Sequence, residues 1–380
     1  MNNVDLVILC GGKGSRLKNL TKNIPKPLLK INKTTFLDKI IQKYQRLNFN
    51  KIYFLAGFRG EKIRKRYHNK IINSIPCEVI VEKKPLGTAG CLYLIKNKVK
   101  NKFILVNADS YIDYDQIKFL NFNNKKFIGK ILLTKNLNYL ENKKLSNLNI
   151  KNKVVFLNKK SGKIMNAGVY LFNKKIFNFI KKKFVSLENE VLPELIKRRK
   201  LCGQISKGKF IDIGILKNYN IAKNKFFKKN EAIFLDRDGV INEDFGYVIK
   251  YEDFKWTNGI FEVLRYINKK QKRLFIITNQ SGIGRGYYTE KDFLNLHKKI
   301  KLILIKKNIY IDDVFYCPHH PKYGLGLYKK NCQCRKPKNL LLKKAISNWN
   351  INKNKSFMIG DQVSDMICAK KSKIKFFYKK

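Results

Sequence analysis

At 380 residues the chain is long for one core and suits two domains of ordinary size. Its 44% hydrophobic and 12% aromatic content excludes global disorder, and no apolar run approaches the roughly 18–20 residues of a membrane span. A formal charge of +55 invites a nucleic-acid role, but lysine is spread over nearly every segment and no RNA- or DNA-binding module motif occurs. The expectation is weak, salt-sensitive adsorption to polyanions, with phosphorylated small molecules drawn in by the same field.

Val4–Cys10 reads as the first core strand, because the sequence before it lacks a basic leader and a small-residue cleavage site. A cytoplasmic protein is expected. Next comes a glycine turn, Gly11-Gly12-Lys13-Gly14-Ser15-Arg16, and then Pro25-Lys26-Pro27. Such a turn lets backbone N–H groups approach phosphates, while Arg16 and Lys26 neutralise them. It is neither a Walker loop nor a full dinucleotide fingerprint. Strand-length apolar runs recur at Ile52–Ala56, Glu78–Val81, Phe103–Val106, Lys130–Leu133 and Val169–Phe172, with helical stretches between them, which argues for a mostly parallel α/β sheet.

The glycine turn with Pro-Lys-Pro at this spacing resembles the sugar-1-phosphate nucleotidyltransferases, which have a Rossmann-like core and use an NTP. Leu86-Gly87-Thr88-Ala89-Gly90 resembles their loop for nucleotide and sugar, and Asn166-Ala167-Gly168 their sugar-binding strand. The resemblance implies Mg²⁺ on Asp109 and Asp212, phosphates on Gly11, Gly12, Gly14, Arg16 and Lys26, and substrate contacts from Gly87, Thr88, Asn166 and Lys159. The implied reaction is in-line attack of the sugar phosphate on the NTP α-phosphorus, releasing pyrophosphate. Ala108 replaces the usual Gly, and Asn158 stands where Glu is common, which alters a sugar-hydroxyl contact and keeps the phosphate-binding Lys159.

Ala222–Glu231, lysine-rich and weakly apolar, reads as the linker. The expected division is a first domain over 1–225, a linker over 226–230 and a second domain over 231–380. A second strand series follows at Ala232–Leu235, Leu274–Thr278, Val314–Tyr316 and Ser356–Ile359. The first of these ends in Asp236-Arg237-Asp238-Gly239, and side chains at i and i+2 share a strand face, so both carboxylates can enter one crevice. Thr278, Asn279 and Gln280 end another strand with groups suited to phosphate oxygens. Arg335 and Lys336 supply positive charge, and Gly360-Asp361-Gln362-Val363-Ser364-Asp365 supplies carboxylates that can hold Mg²⁺. Phosphoryl transfer through an aspartyl-phosphate needs those parts: nucleophile, acid/base, phosphate cradle, cation and metal.

Of eight cysteines, Cys10, Cys77, Cys91, Cys202 and Cys368 stand singly and read as small buried side chains. Cys317, Cys332 and Cys334 cluster around Pro318-His319-His320, which favours metal over a disulfide in a cytosolic chain. Three thiolates and one imidazole close a tetrahedral zinc shell with no open position, the mark of a structural site. His319 is preferred to His320 as the ligand, although sequence barely separates them. Such a loop would staple Arg335 and Lys336 into the active site.

This set resembles the haloacid dehalogenase superfamily of phosphatases. The resemblance implies Asp236 as nucleophile, Asp238 as general acid/base, Mg²⁺ on Asp236, the Asp238 carbonyl and Asp361, and phosphate gripped by Thr278 and Lys336. Gly246-Tyr247, the run from Thr278 through Ser281 and Arg285 to Gly286, the zinc loop and Cys334-Arg335-Lys336-Pro337 look like the D,D-heptose 1,7-bisphosphate phosphatases over essentially all of 231–380. The related histidinol-phosphate phosphatases carry an acidic residue where this chain has Ser281. Gln362 stands where the heptose enzymes frequently have lysine.

The expected architecture is therefore α/β, with two domains that are each a mostly parallel Rossmann-like sheet with helices on both faces. The second is haloacid dehalogenase-like with a zinc-binding loop. The first half looks closest to the heptose-1-phosphate guanylyltransferases, so the halves would catalyse consecutive steps, with GTP as the nucleotide. Rival readings are another sugar or base in the first half, histidinol phosphate in the second, or a polyanion-binding protein with vestigial catalytic folds.

Overall fold

The structure is a computed structural model describing residues 4–123, 125–136, 148–157, 164–180 and 184–379. Asn158 and Lys159 lie outside the described residues. Chain contacts divide the protein into two units, one comprising residues up to Ile40 and Phe49–Phe227, the other Ile41–Asn48 and everything from Lys228 onward.

In the first unit, β1 (Val4–Cys10) is buried at every position but Leu9, as suits a strand covered on both faces. With β2 (Ile52–Ala56), β3 (Ile75–Val81), β4 (Lys102–Asn107), β5 (Gly129–Thr134), β6 (Met165–Asn173) and β7 (Leu201–Ser206) it forms most of a ten-stranded sheet. The run β4-β1-β2-β3 is parallel, and so is the pair β7-β5. Between those blocks β6 runs antiparallel to both neighbours, and the two-stranded hairpin Leu148–Lys151 with Val154–Leu157 extends one edge. The parallel expectation thus describes one half of this sheet, while its other half is mixed.

Register places Leu9 opposite Asn107, so the glycine turn after Cys10 and Asp109 after β4 leave the sheet side by side. A separate antiparallel pair, Ser110–Ile112 with Phe210–Asp212, sets Ser110 opposite Asp212 and carries the second aspartate to the first. The segment read as linker starts as structure. The helix Leu216–Ile221 continues into a helical turn over Ala222–Phe226, with Ala222 and Phe226 buried and the rings of Phe226 and Phe227 edge-on to Tyr111. Two phenylalanines inside a lysine run supply the burial that composition averages away.

The second unit holds β8 (Ala232–Leu235), β9 (Arg273–Asn279), β10 (Asp313–Cys317), β11 (Phe357–Gly360) and β12 (Lys375–Tyr378). Their order is β10-β9-β8-β11-β12, and every pairing is parallel. Alternation decides the cores. Ile233, Leu235, Leu274 and Ile276 pack with Leu264, Leu296 and Ile300 from the helices Ile260–Lys269 and Glu290–Lys306. Phe234, Phe275, Ile277 and Met358 pack with Leu342, Ala345 and Ala369 from Leu340–Asn348 and Val363–Lys371. Successive residues therefore bury opposite faces under separate helix layers. All five strands point their carboxyl ends to the same edge, where open sheets of this kind bind ligands.

Candidate active sites

In the second unit the backbone of Asp236 leaves the sheet directly after β8, its N–H donating to Ile359 O at 3.0 Å. Its carboxylate is buried, with Oδ2 2.7 Å from Lys336 Nζ. The same ammonium lies 2.6 Å from Asp365 Oδ1 and donates to Ile277 O at 3.0 Å. Asp236, Asp361 and Asp365 each bring an oxygen within 4.8 Å of the others. Asp361 Oδ1 is buried with no hydrogen-bond partner, while Oδ2 accepts from Gln362 Nε2 at 2.8 Å. Gly239 makes this approach possible: its φ is +79°, and a Cβ there would sit 2.3 Å from Asp361 Oδ2.

Burial pushes the Asp236 carboxyl up from its ordinary value, and Asp365 adds to that while Lys336 pulls it back. Burial works against the charge on Lys336, but Asp236 and Asp365 outweigh it and raise its hold on the proton. Three carboxylates against one ammonium leave surplus negative charge, and an orphaned oxygen faces it. That donor set fits a divalent cation taking oxygen ligands. Sequence reasoning named Asp365 only among the carboxylates that can hold Mg²⁺ and did not anticipate its contact with Lys336. As the fourth residue after Asp361 it sits in the first turn of Val363–Lys371, where Gln362 N donates to its Oδ2 at 3.3 Å and turns it back toward Lys336.

Asp238 is held by three neighbours. Arg237 donates to its Oδ1 from Nε at 2.9 Å and Nη2 at 2.7 Å, Asn242 donates to Oδ1 at 3.1 Å, and Gln280 donates to Oδ2 at 2.9 Å. Gln280 also donates to Thr278 Oγ1 at 2.9 Å and accepts from the Tyr288 hydroxyl at 2.7 Å. Its amide therefore orients the acid/base candidate and the threonine. Asn279 brackets the backbone of Lys336, donating to its carbonyl at 3.2 Å and accepting from its N–H at 3.0 Å. Ser281 opens the short helical turn Ser281–Gly284. Arg285 lies over the rings of Tyr323 and Tyr247, 4.6 and 5.7 Å from their centroids, and Arg335 reaches the His319 carbonyl at 3.5 Å.

Cys317, His319, Cys332 and Cys334 converge, with ligand atoms all within 4.8 Å of one another. Cys334 Sγ lies 3.1 Å from Cys317 Sγ, 3.2 Å from Cys332 Sγ and 3.2 Å from His319 Nδ1. His320 faces elsewhere: its Nδ1 accepts from the backbone N–H groups of Lys322 and Tyr323 at 3.2 and 3.0 Å. Three sulfurs and one imidazole nitrogen gathered this closely offer the donor types of a four-ligand metal site.

In the first unit Lys26 forms an ion pair with Asp109 Oδ2. Ser110 Oγ donates to Asp109 Oδ1 at 3.2 Å and to Asp212 Oδ2 at 3.0 Å, and Gly214 N donates to Asp212 Oδ1 at 2.6 Å. Burial and the neighbouring Asp109 push the Asp212 carboxyl up, with Lys26 opposing. The Arg16 guanidinium stands beside Asp212 at Gly214. Gly87, at φ +75°, passes so close to Val185 O that a Cβ would lie 2.5 Å from it. Thr88 Oγ1 donates to Glu188 Oε2 at 2.6 Å, and Asn166 Nδ2 donates to the Tyr170 hydroxyl at 2.6 Å. Glu188 is a participant that sequence reading did not name; only its place in the Ser186–Val191 turn hints at it. Gly11, Gly12 and Gly14 form the exposed to half-buried rim after β1.

Comparison with known proteins divides the same way. The family model described as Nucleotidyl transferase matches residues 6–137, and that described as Polynucleotide kinase 3 phosphatase matches residues 233–377. Over 146 residues, 38% of the chain, the protein is 43% identical to the D-glycero-beta-D-manno-heptose-1,7-bisphosphate 7-phosphatase of Haemophilus influenzae, spanning 79% of it. It is 46% identical over 138 residues to the D-glycero-alpha-D-manno-heptose-1,7-bisphosphate 7-phosphatase of Campylobacter jejuni, covering 36% of the chain and 75% of that protein. The crystal structure of HddC from Yersinia pseudotuberculosis aligns with 58% of the chain and 99% of its own length, at 27% identity and a TM-score of 0.48. No helix among the described residues is long and apolar enough to cross a membrane. The chain belongs to the D-glycero-D-manno-heptose-1,7-bisphosphate 7-phosphatase family through its second unit, which follows a nucleotidyl transferase domain.

Proposed function

We propose that the protein catalyses two consecutive steps of nucleotide-sugar synthesis in the cytoplasm. The second unit removes the 7-phosphate of D-glycero-D-manno-heptose 1,7-bisphosphate, and the first transfers a nucleotidyl group from GTP to the resulting heptose 1-phosphate. The observation that carries the reading is the buried carboxylate of Asp236, aligned by Lys336 and flanked by Asp361 and Asp365.

Asp236 attacks the 7-phosphorus, and the bond from phosphorus to the sugar oxygen breaks as that oxygen takes a proton from Asp238. Water then attacks the aspartyl-phosphate, Asp238 takes its proton, and phosphate leaves. Lys336 offsets charge on the phosphoryl oxygens, with the Thr278 hydroxyl beside them. Mg²⁺, held by Asp236, the Asp238 carbonyl and Asp361 with Asp365 alongside, supplies further charge neutralisation when bound. Zinc on Cys317, His319, Cys332 and Cys334 is structural and fixes the loop that leads into Arg335 and Lys336. Ser281, Arg285 and Arg335 serve the sugar end of the substrate.

In the first unit Gly11, Gly12, Gly14, Arg16 and Lys26 bind the triphosphate, Asp109 and Asp212 hold Mg²⁺, and Gly87, Thr88, Asn166 and Lys159 contact the sugar phosphate. The resemblance to heptose-1-phosphate guanylyltransferases supports GTP, and comparing four NTPs tests it. Phosphate and pyrophosphate release, followed separately, test the pair of sites. Asp236→Asn is expected to abolish phosphate release alone and Asp109→Ala pyrophosphate release alone. Loss of both activities in either folded variant contradicts the two-site reading.

A further inference from the structure

Three buried polar atoms near Asp238 meet no hydrogen-bond partner, Arg237 Nη1, Asn242 Oδ1 and His297 Nε2, and the first and last of them lie against one aromatic ring. Arg237 is 1% exposed, and Nε and Nη2 are spent on Asp238 Oδ1, with Nη2 also donating to Val248 O at 3.1 Å. Only its third nitrogen is left over. His297, 3% exposed, stands on the helix Glu290–Lys306 four residues after Phe293, hence on the same face. One ring touches both groups. The Phe293 centroid is 4.3 Å from that of His297 and 5.9 Å from Arg237 Cζ.

Arg237 Nη1 and His297 Nε2 are chemically complementary. A guanidinium only donates, whereas a neutral imidazole keeps a lone pair on one nitrogen. Burial, with the Arg237 charge adding to it, holds His297 neutral by pushing its pKa well below the ordinary value. A water accepting from one and donating to the other satisfies both, as buried waters commonly do.

We propose that Arg237 Nη1 and His297 Nε2 share one ordered water, and that through it His297 fixes the guanidinium that aims Asp238. His297 is then a positioning residue for proton transfer, touching neither substrate nor metal ligands. The inference rests on Asp238 being the acid/base of the phosphatase.

The test compares kcat/KM, which reports phosphorylation of Asp236, on two leaving groups. Heptose bisphosphate expels an alkoxide that needs the Asp238 proton; para-nitrophenyl phosphate expels a stabilised phenolate that does not. His297→Phe is expected to lower kcat/KM for the bisphosphate about tenfold and for the aryl ester less than about twofold, a fraction of what an acid/base group contributes. His297→Gln keeps an acceptor and is expected to recover most of the loss. Equal losses on both esters, or none on the bisphosphate, overturn the proposal. If His297→Phe does not fold, a high-resolution crystal structure of the natural chain decides: density for a water between the two atoms supports it, and a dry gap overturns it. Asp238→Asn separates the levels. If that variant turns over the bisphosphate normally, the acid/base reading falls and takes this inference with it. If it is slow while His297→Phe is not, the positioning role alone falls.

Discussion

A single methyl group at position 239 is expected to disable metal binding while leaving the sheet intact. Gly239→Ala would bring a Cβ 2.3 Å from Asp361 Oδ2 at a backbone φ of +79°, so Asp361 must move. The magnesium concentration for half-maximal phosphate release should rise about tenfold, in the range that misplaced ligands cost. An unchanged magnesium titration contradicts this placement of Asp361. Asp365→Asn makes a second residue-scale prediction. It keeps the shape of the helix start but removes one of two charges facing Lys336, so the unfolding free energy should fall by up to about 3–5 kcal/mol, the scale of a broken buried pair, and phosphate release should fall as Lys336 loses one of the groups that hold it. Pyrophosphate release should not change. Asp236, Asp238, Lys336 and Asp361 were picked out in sequence because Asp236 ends a strand run, Asp238 lies two residues on, Asp361 follows a glycine and Lys336 lies in the run Cys334-Arg335-Lys336-Pro337. Asp365 was named only as a possible Mg²⁺ carboxylate, because its approach to Lys336 depends on how the first turn of a helix points its side chain. Gln280 was legible as polar, but its engagement with Asp238, Thr278 and Tyr288 depends on residues far apart in the chain.

At the scale of elements, the helix Glu290–Lys306 carries a buried imidazole that gives stability a pH signature. Burial, then the Arg237 charge, pushes His297 well below its usual range. Below about pH 6.5 the unfolded chain gains a proton that the folded state refuses, so this contribution is present above that pH and lost as pH falls, by up to about 1.4 kcal/mol per unit. The difference in unfolding free energy between the natural chain and His297→Gln should therefore shrink steadily on acidification; a constant difference contradicts a neutral buried imidazole. The loop from Cys317 to Cys334 makes a separate prediction. Stripping zinc and restoring magnesium should abolish phosphate release and spare pyrophosphate release, because the proposed zinc would hold the chain that runs into Lys336. Retention of phosphatase activity in zinc-free protein would show that the loop positions nothing. The parallel sheet of the second unit was expected from alternating strand and helix patterns, which carried no strand order and did not include Lys375–Tyr378. The antiparallel β6 was not expected, because apolar runs such as Val169–Phe172 look alike whichever way they pair. The turn over Ala222–Phe226 was likewise hidden by its lysines.

At the scale of the whole molecule, two units carry two charge-handling sites within one strongly basic chain. The net +55 steers anionic substrates to both, so kcat/KM for the bisphosphate should fall with added salt while kcat holds. The salt profile also separates catalysis from mere polyanion adsorption, since turnover at saturating substrate survives where adsorption does not. Everything proposed for the second unit turns on one covalent intermediate at Asp236, and the most direct measurement is to catch it. Protein mixed with heptose 1,7-bisphosphate and Mg²⁺ is quenched within a turnover, reduced with borohydride and mapped by mass spectrometry. The account predicts a side chain reduced to homoserine at position 236 and nowhere else. Reduction at another carboxylate, or none in protein that is actively releasing phosphate, contradicts it.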